Sequence, residues 1–196
     1  MAAGYTYKLT PAESVEEFYA VRTGERRIGA FLLDTTNLAV GTIVPPFAPL
    51  YCDLVNKKAT VVLNAKVYAD AASGDTEVKV PKGTVAYAGE LLSDGTNTIT
   101  VSSIDTSNSA YDVLTVEALS ADLAAGTVLF NVEEGKTEQS VVANSALYGK
   151  HVVTTGNNLV AALRRAAEIE PTKLIIPFSS ADRAKLGERF EFNDNE

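Results

Sequence analysis

Between residues 76 and 80 the chain reads Thr-Glu-Val-Lys-Val. On an extended backbone Val78 and Val80 fall on one side and Glu77 and Lys79 on the other, the period-two alternation of a half-buried strand. Comparable runs rich in Val, Thr and Ile occupy 59–69, 98–104 and 111–119. Turn residues interrupt the stretch from Thr35 to Val132 every eight to twelve positions, which predicts an all-β sandwich or barrel. Within it, 70–75 and 105–110 read as polar loops, and Asp94-Gly95 as a tight turn before the strand at 98–104. The strand at 76–80 is expected to pair with 59–69 across the first loop. Residues 120–125 have room for one helical turn at most.

The triplet Gly-Thr-(Val/Ile) occurs at Gly41, Gly83 and Gly126. A glycine accepts a positive φ that ends a turn, and the β-branched pair after it favours a strand. The three sites therefore predict turn-then-strand units within 34–44, 80–86 and 123–130. They fit either ordinary hairpin grammar or a weak internal repetition, and three short matches do not choose between them.

The two ends differ in texture. Thr10, Pro11 and Glu13 predict a short helix over 10–21, with Thr10 as cap and Glu13 completing a capping box. An extended segment at 27–33 follows. The same region also reads as a hairpin turning at 23–25. Residues 157–171 are ambiguous: Leu159, Ala162, Leu163 and Ala166 recur at helical spacing, yet the stretch also alternates up to Pro171. At 178–188, Ser179 as cap, Asp182 three residues on and Gly187 as stop predict a helix of about two turns. A short strand over 189–192 and a frayed tail at 193–196 complete the chain. The fold class is thus mainly β with minor α: a β-sandwich or barrel-like domain with a short N-terminal helix and a short C-terminal helix. The expected division is an N-terminal segment 1–36, a β-rich domain 37–192 divisible into two subdomains, and the tail 193–196.

Composition narrows the function. The 196 residues are 46% hydrophobic, contain no tryptophan and carry a net charge of −8. Phosphate backbones repel such a chain, and the basic pairs within 25–29 and 163–168 are expected to be solvated faces, so no nucleic-acid partner is expected. Cys52 is the one cysteine, which excludes an intrachain disulfide. The first residues lack a basic region followed by an apolar run, and no stretch approaches 18 uninterrupted apolar residues. No membrane partner is expected, and synthesis in a reducing cytoplasm is.

Candidate chemistry is sparse. The one histidine, His151, has no Gly-x-Ser-x-Gly elbow to serve, and Cys52 lies in an apolar run. Both are expected to be structural. Two such residues 99 positions apart do not make a zinc site. The best calcium candidates are Asp70 with Asp75, and Asp105 with Asn108 and Asp112, but neither set has the alternating ligands of an EF-hand loop. There is no Walker or Gly-x-Gly-x-x-Gly motif. No catalytic, cofactor-binding or metal residue, and no cofactor, is expected.

Three stretches together resemble the head decoration and head fiber proteins of tailed bacteriophages. They are "NLAVGTIVPPFAPLYCDLVNKKATVV" (37–62), "SIDTSNSAYDVLTVEALSADLAAGTVLF" (103–130) and "SALYGKHVVTTGNNLVAALRRAAEIEPTKLIIPFSSADRAKLGERFEF" (145–192). The chain departs from the family ending at Arg164-Arg165, where Arg-Gly is usual. The resemblance implies a strand rather than a helix at 159–169. It also implies a structural virion protein, made in the host cytoplasm, that sits on the outer capsid surface as a homotrimer with the phage major capsid protein as partner. The N-terminal segment 1–36, whose apolar stretch 29–34 is small for a core of its own, is expected to pack against a neighbouring subunit or the capsid. The alternative is a non-catalytic β-rich module binding carbohydrate or a cell surface, against which the missing tryptophan and scattered tyrosines count. An enzyme built on a carboxylate pair comes third.

Overall fold

The computed structural model describes residues 24–193. Strands β1 (Glu25–Arg26), β2 (Phe31–Leu33), β3 (Ile43–Val44), β4 (Pro49–Asp53) and β5 (Lys58–Val61) come first. Then follow β6 (Asn64–Lys66), β7 (Glu77–Pro81), β8 (Leu91–Ser93), β9 (Thr98–Asp105), β10 (Tyr111–Val116) and β11 (Val128–Asn131). The chain closes with β12 (Ser145–Leu147), β13 (His151–Val152), β14 (Leu159–Val160), β15 (Ala162–Ile169), helix α1 (Ser180–Leu186) and β16 (Phe190–Phe192). The fold is mainly β with one short C-terminal α-helix, its curled sheets giving a sandwich or half-barrel character. The helix expected at 10–21 lies outside the described residues.

One sheet has the order β1-β15-β12-β4-β5-β2-β14, with β16 parallel to β15. The second, β6-β11-β8-β9-β10-β7, is built wholly from the chain between β5 and β12. Its two ends approach each other, because the Tyr68 amide donates to the Lys79 carbonyl at 2.8 Å. A small ribbon pairs β3 with β13. Sequence order explains the nesting: the chain leaves the first sheet after Val61, makes the second, and returns at Ser145.

The predicted strand 59–69 is interrupted at this exit. Val61 and Val62 are both buried, and they belong to different cores. Two buried neighbours break the period-two pattern, and the backbone crosses from one sheet to the other there. The strand at 76–80 is confirmed as β7, but its ladder partner is β10 rather than 59–69; the Tyr68 amide bond to the Lys79 carbonyl links it to that run. The hairpin of β8 and β9 turns at Asp94-Gly95 as expected.

The Gly-Thr sites resolve into two kinds. Gly41, Gly83 and Gly126 all have positive φ, at 92°, 87° and 89°. In Ala-Val-Gly-Thr and Ala-Ala-Gly-Thr the Thr42 and Thr127 amides donate back three residues to Ala39 and Ala124. This is the turn that wants glycine third, and β3 and β11 follow. At Gly83 no strand follows, against expectation. The Gly83 amide donates to Asp112 instead, and Val85 departs to join the core of the first sheet.

Residues 159–169 are strand, as the family resemblance implied and the helical spacing did not. The cause is that this stretch feeds two cores through an irregular ladder. In β15, Ala162 packs into one core with Phe31, Leu50 and Ile176, while Leu163, Ala166 and Ile169 pack into another with Phe47, Phe178 and Leu186. With Arg164, Arg165 and Glu168 exposed between them, these buried positions follow no period-two alternation, and the Ala-rich composition mimics a helix. Its ladder is also irregular, with a register shift against β16 and Glu168 at φ 53°. Part of the N-terminal segment packs within its own chain: β2 lies between β5 and β14, with Phe31 fully buried and Leu33 nearly so.

Candidate functional site: a buried carboxylate joint and a basic face

Asp182 sits where the two sheets connect. Ser179 caps α1, and Asp182 answers as the other half of a capping box. The Asp182 side chain is fully buried. Its Oδ1 accepts from Gln139 Nε2 at 2.9 Å and the Ala143 amide at 2.7 Å. Its Oδ2 accepts from Asn64 Nδ2 at 2.7 Å and the Ser179 amide at 3.0 Å. Asn64 opens the outgoing passage, and Gln139 and Ala143 lie on the return. One carboxylate thus ties both chain crossings to the C-terminal helix. Asn64 Nδ2 adds a bond to the Pro177 carbonyl at 2.8 Å, and the Ser179 hydroxyl donates to Gln139 Oε1. Sequence reasoning found Asp182 only as a helix cap. Its distant partners, 43 and 118 residues away, left no local signal.

Four aromatic rings, of Phe47, Phe178, Phe190 and Phe192, pack in the core shared with Leu186 of α1. Phe178 meets Phe47 edge-on at 5.8 Å and Phe192 at 5.3 Å between centroids. Such pairs add about 0.5–1.5 kcal/mol each beyond their area.

The residues singled out in the sequence are spread over separate places. Cys52 is buried in β4, and burial pushes its thiol pKa up, which disfavours the thiolate. His151 Nε2 lies 3.0 Å from Asn158 Oδ1, which also accepts from the Thr154 amide and hydroxyl, while Asn158 Nδ2 donates to the Thr154 and Gly156 carbonyls. The calcium candidates cap turns. Asp70 accepts from the Ala125 amide, Asp75 from Ala72, Asp105 from Ser107 and Asn108 from Ala110. Asp112 is buried, with Oδ1 2.8 Å from Lys82 Nζ and Oδ2 2.9 Å from the Gly83 amide. Among the described residues no group of three His, Cys, Asp or Glu side chains is close enough to hold a metal. The tyrosines are less scattered than the sequence suggests: Tyr68 and Tyr111 lie 5.6 Å apart, with Lys79 Nζ over the Tyr111 ring.

Two further features were invisible in the sequence. Glu90 is buried in the second sheet, 1% exposed, and burial raises its pKa to about 8. It accepts weakly, from the Tyr87 amide at 3.2 Å and Asn131 Nδ2 at 3.4 Å. The other is a basic face. Glu25, Arg27, Arg164, Arg165 and Arg189 line an open cavity of about 360 Å³. Arg27 is anchored by Ser145 Oγ at 2.6 Å and the Asn144 carbonyl at 2.9 Å. Burial, helped by nearby Arg189 and Arg164, presses its pKa below the ordinary value. The pairing of β1 with β15 brings Arg27 beside Arg164 and Arg165, while Arg26 lies over the Tyr148 ring.

The built features among the described residues are a joint between sheets and a charged surface. The family model described as head fiber protein matches residues 2–190. The chain therefore belongs to the head fiber protein family of bacteriophages, structural components of the virion. No curated protein and no solved structure matches the chain.

Proposed function

We propose that this head fiber protein binds the outer surface of a phage capsid as a homotrimer, without catalytic activity. The observation that carries this reading is the family match across nearly the whole chain. The structure supports it in two ways. Closed rotational interfaces need surface that a single copy leaves uncovered. The edge strand β14 offers such surface: Leu159, 61% exposed, pairs with Leu32, 38% exposed, on an outer face. On the ribbon, Ile43 and Val152 face each other and are both about half exposed. Synthesis in the host cytoplasm and display on the capsid exterior follow from the same reading.

The test is co-sedimentation of the purified full chain with capsids that lack it, alongside its mass in solution. Capsid-bound protein in multiples of three supports the proposal. A strict monomer that stays in the supernatant refutes it.

A further inference from the structure

Charge is distributed very unevenly along this chain. Residues 64–139, which make the second sheet, hold twelve of the 25 acidic residues and only four of the 17 basic ones, a net of −8. The other described residues, 24–63 and 140–193, hold eight acidic and eleven basic residues, a net of +3. Four of those eleven are the arginines of the basic face. Among the described residues the ion pair made there is Arg164 with Glu25, at 2.8 Å. Arg189 spends its guanidinium on main-chain oxygens, at 3.2 Å from Arg164 O and 3.4 Å from Asn144 O. Arg165 makes no ion pair among the described residues, and no side chain from 64–139 lines the cavity. Main-chain oxygens, and Ser145 Oγ, hold the Arg27 and Arg189 guanidinium groups in place without neutralising them. Arginine in this state suits carboxylates, which it binds through two parallel N–H bonds.

We infer that the face of Arg27, Arg164, Arg165 and Arg189 docks on the acidic 64–139 half of a second copy of this chain. The inference rests on the homotrimer reading above and names the surfaces that would build it. A positive patch on one subunit meeting a negative half on the next is a heterologous contact. Such contacts close into a ring when the rotation allows, three copies in the case of a trimer. A chain with a net charge of −8 otherwise repels its own copies. The basic face converts part of that repulsion into a directed attraction and fixes the orientation of the contact.

The experiment measures sedimentation equilibrium of the full-length wild type, of Arg165→Glu, and of a fourfold variant carrying Glu77→Gln, Glu117→Gln, Glu134→Gln and Glu138→Gln. All four of these glutamates are exposed. Both variants are expected to raise the concentration at half-dissociation by on the order of tenfold. Wild-type association is expected to weaken between roughly 0.05 and 0.5 M salt, as exposed charges are screened. Circular dichroism checks folding; if Arg165→Glu does not fold, Arg165→Gln takes its place. A wild-type trimer that both variants match overturns the inference and leaves the trimer reading intact. So does weakening by the arginine variant alone, which would assign the basic face a different partner. A wild type that is monomeric throughout removes the trimer reading itself.

Discussion

Replacing Asp182 with alanine removes one buried carboxylate that four N–H groups share: those of Asn64, Gln139, Ala143 and Ser179. The two side-chain amides each keep a second bond, to the Pro177 and Val141 carbonyls. The released hydrogens are left in a fully buried site. An unsatisfied buried donor costs about 1–3 kcal/mol, but the four are not additive, since one water can serve several. The partners are neutral, so no buried charge is left behind; the loss falls mainly on the Ala143 and Ser179 backbone amides, and we take about 4 kcal/mol in all. Asp182→Asn keeps one oxygen and turns an NH2 toward two of the donors, so roughly half that loss is expected. In a chain of this size 1 kcal/mol moves Tm by about 2–4 °C, giving a fall of about 8–16 °C for alanine. Calorimetry or urea unfolding checks it. Asp53→Asn is the control, because Asp53 also accepts several bonds but from an exposed turn, and a far smaller effect is expected. Trypsin should also cut faster after Lys136, once Gln139 is released from the joint. An Asp182→Ala protein that melts within about 3 °C of wild type would refute the clamp.

Glu90 gives a pH effect of opposite sense to most carboxylates. Its folded pKa, about 8, lies above the unfolded value, so the folded state holds a proton that the unfolded state loses. Stability should therefore be full below about pH 4.5 and fall as pH rises toward 8. Glu90→Gln should remove that slope and stabilise the protein by about 3 kcal/mol at pH 7, read from urea midpoints at several pH values; equal midpoints at pH 7 count against a buried neutral carboxyl. Gly41→Ala and Gly126→Ala each force a side chain into positive φ with open space around it, so a loss of about 1 kcal/mol from backbone strain alone is expected. A chain starting at Thr35 loses β2 and the buried Phe31 and Leu33, and should unfold or aggregate rather than fold as a monomer; a cooperative melt near the wild-type Tm would contradict this.

Elements with a one-sided environment were legible from the residues alone. β7 shows it, with Val78 and Val80 inside and Glu77 and Lys79 outside. So does α1, whose cap and stop residues sit within its own span. What escaped is whatever depends on distant chain. β15 feeds two cores and has an irregular ladder, so its apolar residues do not alternate and imitated a helix. Val61 and Val62 looked like one strand because nothing local marks a crossing between sheets. The Asp182 joint and the arginine face each gather residues more than 100 positions apart. Short motifs carried the family resemblance, and they served better than periodicity at 159–169.

The central claim is that this head fiber protein is a trimer held on a capsid exterior. Sedimentation of the full-length protein with purified capsids lacking it, followed by quantification of the bound chain, tests that most directly. The account expects free protein at three times the 20.8 kDa chain mass, and saturation of the capsid in multiples of three. Free protein at the single-chain mass, with none carried down by capsids, would contradict it.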